Sequence, residues 1–129
     1  MQDEVLIVED NPTNSALAEK ILHHFGFKTA VAAHGTQALS YCETHQPSLI
    51  LMDISLPDMD GIEVTRRLRL KQEYQATPII AVSTNVMKEV QLAILRSGFN
   101  AFLTTPYQPN DLVNMVRREI ESAEKKGIA

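Results

Sequence analysis

The chain has 129 residues, enough for one domain around a single core and too few for two full ones. With 12 Lys plus Arg against 16 Asp plus Glu, the net charge is −4, so the global basic footprint of a nucleic-acid binder is missing. No run approaches the roughly 18 apolar residues that cross a bilayer, and the acidic start Met1-Gln2-Asp3-Glu4 is not that of a secretory leader. The single Cys42 has no internal disulfide partner, which fits a reducing cytoplasm, and it is expected to be a small helix residue.

In chain order, Val5-Leu6-Ile7-Val8 predicts a first strand near residues 4–8 that runs into Glu9-Asp10. Asn11 has the side chain of a helix cap, and Pro12 suits the first helical position. That helix is expected to reach about Phe25, with Leu17, Ala18, Ile21, Leu22 and Phe25 on one packed stripe and Gly26 as a left-handed stop. A second strand near residues 28–32 and a helix from about Gly35 to Thr44 follow. Pro47 then imposes an extended approach to a third strand, Leu49 to Met52, which ends in Asp53.

The segment Ile54-Ser55-Leu56-Pro57-Asp58-Met59-Asp60-Gly61 is rich in turn formers, and a third helix follows it through Arg66 to Leu70. A fourth strand, Ile79 to Val82, ends in Ser83, and a helix from about Val86 to Arg96 stops at Gly98. A short fifth strand lies near Ala101 to Leu103. Asn110 or Asp111 opens the last helix, which carries Leu112, Val113, Val116 and Ile120. Residues 1–124 are expected to form one domain and residues 125–129 a short frayed tail, with no catalytic or DNA-binding domain expected after it.

Alternation of aliphatic strands with longer helical patterns is the signature of a parallel sheet covered on both faces. In an open, doubly wound sheet of this kind, ligands gather beyond the carboxyl ends of the strands. Glu9, Asp10, Asp53, Ser83 and Thr105 all fall there. Converging carboxylates repel one another and raise a proton affinity unless a cation neutralises them. Oxygen ligands select a hard divalent ion, and Mg²⁺ is the natural choice.

The chain resembles the receiver domains of two-component response regulators over essentially its whole length. The resemblance lies in Val8-Glu9-Asp10-Asn11-Pro12, in Leu51 to Gly61 (LMDISLPDMDG), in Ala81-Val82-Ser83 and in Phe102-Leu103-Thr104-Thr105-Pro106. It implies a flavodoxin-like α/β fold: a five-stranded parallel sheet in the order 2-1-3-4-5 with five flanking helices. Asp53 would accept a phosphoryl group from a histidine, forming an acyl phosphate. Asp10, Asp53 and the backbone carbonyl of Ser55 would bind Mg²⁺ directly, with Glu9 acting through water. Ser83 would donate its hydroxyl to the phosphoryl group and move inward on activation, and Phe102 would report that movement as the switch aromatic.

The resemblance also implies a cytoplasmic, stand-alone signalling protein, monomeric or weakly dimeric. A histidine kinase or a histidine phosphotransfer protein would be the donor, and the output partner is unknown. Direct nucleic-acid or membrane contacts are not expected, nor is enzymatic activity beyond the protein's own phosphorylation and dephosphorylation. Leu17 and Ala18 would offer a docking surface for a partner helix or, for Leu17 more simply, pack inside. The fourth helix, fifth strand and fifth helix would form a target surface with Val90, Gln91 and Arg96 as contacts.

One position departs from the family pattern. A lysine precedes the proline there, and this chain has Thr105, which carries no charge. A hydrogen bond to a charged partner is worth roughly 1.5–3 kcal/mol, so the loss weakens phosphoryl binding or its coupling by about one to two orders of magnitude. Lys88 would swing in to compensate, or is simply solvated. The alternative function is a pseudo-receiver, an interaction module whose output ignores phosphorylation.

Ser55 and Asn85, small and polar, would border the path of the water that attacks the acyl phosphate, and neither supplies an acid. Thr84 either narrows donor access or is accommodated as a loop residue. An Asp-nucleophile hydrolase is disfavoured because Ser55 stands where its second Asp would be, and no glycine-rich phosphate loop ending in Lys-Ser or Lys-Thr occurs. His23, His24, His34 and His45 lack metal-ligand spacing and are expected on the surface, and Arg66, Arg67, Arg69 and Lys71 on a solvated helix face.

Overall fold

A computed structural model describes residues 3–127. Five strands, β1 Glu4–Val8, β2 Lys28–Ala32, β3 Leu49–Asp53, β4 Ile79–Ser83 and β5 Ala101–Thr104, form one sheet in the order β2-β1-β3-β4-β5. All four pairings are parallel. Five α-helices cover it: α1 Pro12–His24, α2 Gly35–Thr44, α3 Gly61–Arg69, α4 Lys88–Arg96 and α5 Pro109–Gly127. This is the predicted doubly wound fold. Among the described residues no helix is long and apolar enough to cross a membrane.

The strands read as nearly unbroken apolar runs because both faces are buried, and their period of two splits them between two cores. Val5, Ile7, Leu49, Leu51, Ile80 and Val82 face α1 and α5 and meet Ala18, Ile21, Leu112 and Val116. Leu6, Val8, Ile50, Met52, Ile79 and Ala81 face the other way, with Ala38 and Cys42 of α2, Val64 and Leu68 of α3 and Ile94 of α4. Cys42 is thus a buried core residue of α2.

Local chemistry accounts for where the helices begin. Asn11 Oδ1 accepts from the amides of Thr13 and Asn14 at 2.9 and 3.1 Å, and Pro12 opens α1. Gly26 takes φ +91°, a left-handed value that disfavours any residue with a Cβ, and ends the α1 turn as predicted. Helix α4 starts at Lys88, not Val86, because Asn85 holds the preceding turn: its amide donates to Ser83 Oγ at 3.1 Å and its Oδ1 accepts from Met87 N at 2.9 Å. Helix α5 opens at Pro109, not at Asn110 or Asp111, with the Gln108 carbonyl accepting from the amides of Asp111 and Leu112.

Three surface or packing expectations change. Leu17 does not pack inside: it lies on the flank of the buried α1 stripe of Ser15, Ala18, Ile21 and Leu22 and is 53% exposed. Arg69 is not on a solvated face. Its guanidinium donates to the carbonyls of Gly98 (2.9 Å), Tyr74 (2.5 Å) and Thr77 (2.7 Å) and to Asn100 Oδ1 (2.8 Å), where the backbone emerging from α3 crowds against the ends of β4 and α4. Helix α5 continues through Lys125, Lys126 and Gly127, where a frayed tail was predicted; Ile128 and Ala129 lie outside the described residues. Arg66 and Arg67 are exposed as expected, both paired with Glu63.

Candidate functional site

Strands β1 and β3 are neighbours with Val8 paired to Met52, so the acids that follow them emerge side by side. Carboxylate oxygens of Glu9, Asp10 and Asp53 all lie within 4.8 Å of one another. No Lys or Arg answers them: among the described residues the ion pairs are His34–Asp58, Glu63 with Arg66 and with Arg67, and Arg118–Glu119. Burial, then a hydrogen bond with the Asp53 carboxyl, raises Glu9 from 4.5 to about 7, against the Asn11 amide that Glu9 also accepts. Burial raises Asp53 as well, although the Glu9 hydrogen bond and the Ser55 amide pull it down. Two part-buried carboxyls thus face each other across a hydrogen bond, and a divalent cation is the charge that would relieve them.

The loop after β3 is built onto the acceptor. Ser55 N donates to Asp53 Oδ1 at 3.0 Å, and Gly61 N closes the loop onto the Ile54 carbonyl at 2.8 Å. A Cβ on Gly61 would sit 2.3 Å from the Asp53 carbonyl oxygen, so only glycine lets α3 start this close. Asp60 caps α3 by accepting from Glu63 N at 2.8 Å. Asp58 ties the loop's far side to α2, accepting from Gly35 N (2.8 Å), Thr36 N (2.8 Å) and Thr36 Oγ1 (2.6 Å). These bonds, the Thr36 hydroxyl first, hold the Asp58 carboxyl well below the usual carboxylate range.

The remaining predicted residues divide by sheet face. Ser83 ends β4, and its carbonyl accepts from Thr105 N at 3.0 Å. Phe102 pairs with Ala81 and packs, partly buried, against the core under α2, α3 and α4. Asp53 and Thr105 instead line a cleft of about 280 Å³ beside α1. Glu9 shares its acidic end, Thr84 its rim, and Leu17, Ala18, Pro106 and Tyr107 give it apolar walls. Burial, with a smaller effect from Glu9, pushes the Tyr107 phenol up. Lys88 is exposed on α4, which packs on the opposite face through Ile94, and it makes no ion pair among the described residues.

Sequence reasoning did not single out Asp58 as a clasp, His34 as the α2 cap (its Nδ1 accepts from Gln37 N at 3.2 Å) or Tyr107 as a wall of the cleft. The Pro-Asp turn hinted at the first. Its partner Gly35 lies 23 residues away, and only the fold brings the two together.

A family model described as the response regulator receiver domain matches residues 5–117. The polar-differentiation response regulator DivK of Brucella anthropi is 33% identical over 123 residues, covering 95% of this chain and all of the relative. Among solved structures, a response regulator from Chloroflexus aurantiacus superposes with a TM-score of 0.90 at 26% identity, covering 94% of this chain and 99% of that one. The receiver domain of a sensor histidine kinase from Pseudomonas aeruginosa, solved with magnesium coordinated in its active-site cleft, gives 0.87 at 33% identity, covering 94% and 99%. With strand-end acids, sheet order and family match in agreement along almost the whole sequence, the chain belongs to the response regulator receiver domains.

Proposed function

We propose that this receiver accepts a phosphoryl group on Asp53 from the phosphohistidine of a kinase or phosphotransfer protein and signals through protein contacts that depend on its state. One observation supports this most directly: the Asp53 carboxylate stands at the end of β3 among Glu9 and Asp10, and its loop is held by Gly61 and Asp58. A carboxylate oxygen of Asp53 attacks phosphorus in line, the nitrogen–phosphorus bond breaks, and the imidazole leaves with the bonding electron pair. The product is an acyl phosphate.

Glu9, Asp10 and Asp53, with the Ser55 carbonyl, would hold Mg²⁺. The uncompensated acids fit that ion. When bound it supplies positive charge opposite the phosphoryl oxygens. Ser83 is the hydroxyl donor to the phosphoryl group, and Phe102, on the same face of the sheet, is the residue whose packing follows Ser83. Enzymatic action is confined to making and breaking this one acyl phosphate. The pseudo-receiver alternative draws no support from DivK or from the Chloroflexus aurantiacus protein, response regulators that the chain matches over essentially their whole length.

The test is to add Mg²⁺ and acetyl phosphate, or beryllofluoride, and follow backbone amide shifts. Changes centred on Asp53, Ser83 and Phe102 are expected, and Asp53→Asn should abolish them. Identical spectra for both proteins at saturating donor would sink the reading.

A further inference from the structure

The cleft beside Asp53 is walled unlike an ion site: its acidic end is Glu9 and Asp53, its mouth is apolar, and no Lys or Arg lines it. Once phosphorylated, Asp53 carries about −2 and Glu9 and Asp10 about −1 each, so a divalent metal leaves a deficit of roughly two positive charges. Among the described residues, no Lys or Arg lines the cleft to answer that deficit. Thr105 contributes only a hydroxyl, and Lys88 sits on α4 against the opposite face of the sheet.

We propose that the cleft receives a lysine side chain from a partner protein, whose ε-ammonium supplies from another chain the positive charge that Thr105 does not. This rests on Asp53 being the phosphoacceptor. Three features select that occupant. A cleft of about 280 Å³ has room for four methylenes and an ammonium. A lysine stem covers apolar surface while its head stays with charge, and Leu17, 53% exposed at the mouth, is apolar surface left uncovered by this chain. An ammonium is also a compact point charge with three donors, able to meet Asp53, Glu9 and a phosphoryl oxygen together, whereas a guanidinium fork presents its donors in one plane.

A partner that docks against α1 and the Pro106–Tyr107 corner would thereby strengthen the phosphorylated state, and the phosphorylated state would strengthen docking by the same factor. Phosphorylation and binding would be coupled without any movement of the α4 side.

The probe is n-butylammonium, the lysine side chain cut from its backbone, with the intact protein, Mg²⁺ and beryllofluoride. At saturating amine the apparent affinity for beryllofluoride should tighten about tenfold, with amide shifts at Leu17 and Tyr107. Sodium at equal ionic strength, and butanol, which has the stem without the charge, should not reproduce the gain. Thr105→Lys should bind beryllofluoride more tightly than the parent and respond little to the amine, and Lys88→Gln should match the parent. The proposal is overturned if the amine does no better than sodium, if it acts equally on Thr105→Lys, or if Lys88→Gln loses affinity on its own. Should neither the parent nor Thr105→Lys bind beryllofluoride, it is the phosphoacceptor reading itself that fails.

Discussion

Glu9, raised by burial and then by its hydrogen bond with Asp53, holds a proton with a measurable consequence. A carboxyl raised from 4.5 to about 7 stabilises the fold fully below its unfolded value, and that contribution is lost as pH rises through about 7. Asp53 is raised in the same direction. Asp58 and Glu63 are held low, the first by Thr36 and the second by Arg66 and Arg67, so both are ionised in either state across this window and leave the slope unchanged. The metal-free protein should therefore show a falling urea midpoint between about pH 5 and about pH 8, and Glu9→Gln should flatten the fall. With saturating Mg²⁺ the slope should reverse, because the ligands must be deprotonated to bind. The three acids were legible in the sequence, since Glu9 and Asp10 come straight after one aliphatic run and Asp53 after another. Which of them shares a proton was not, because that depends on how β1 and β3 align.

Among the elements, the loop from Asp53 to Gly61 carries the most consequence per residue. Its turn composition was plain from Pro57, Asp58, Asp60 and Gly61, and the Asp60 cap follows from its place before a helical run. The demand on Gly61 was not legible, because it comes from the Asp53 carbonyl packed against it across the loop. Gly61→Ala should push that carbonyl aside, costing about 1–3 kcal/mol in urea unfolding and weakening Mg²⁺ binding with it. Asp58→Ala should separate the two effects. It releases the loop from the start of α2 without a clash, so calorimetric Mg²⁺ affinity should fall further than the unfolding midpoint. Equal losses in both would make Asp58 an ordinary helix cap. At α4 the periodicity suggested a start at Val86, but Asn85 turns the chain there, and a side chain bonding its own neighbours is a competitor that apolar spacing does not register.

For the molecule as a whole, the alternation of aliphatic strands with helical patterns marked a parallel sheet covered on both faces, and the family resemblance supplied the strand order that the structure has. Arg69 escaped that reading because helical periodicity gives it a polar face, and only the assembled chain shows that the face meets the carbonyls of Tyr74, Thr77 and Gly98. Its guanidinium joins α3 to the segments flanking β4, and Asn100 extends the joint by accepting from Ile79 N at 2.8 Å. Removing it would leave several carbonyls without a donor at the amino-terminal edge of β4, the edge away from Asp53. Arg69→Ala should lower unfolding free energy by roughly 2–3 kcal/mol, and Arg69→Lys should recover only part of it, because an ammonium does not reproduce the planar fork. Beryllofluoride affinity in Mg²⁺ should be nearly unchanged in both variants, since the acids, the Gly61 contact and the Asp58 clasp all lie at the opposite end of the strands. A parallel loss of affinity would mean instead that the two ends of the sheet are mechanically one unit.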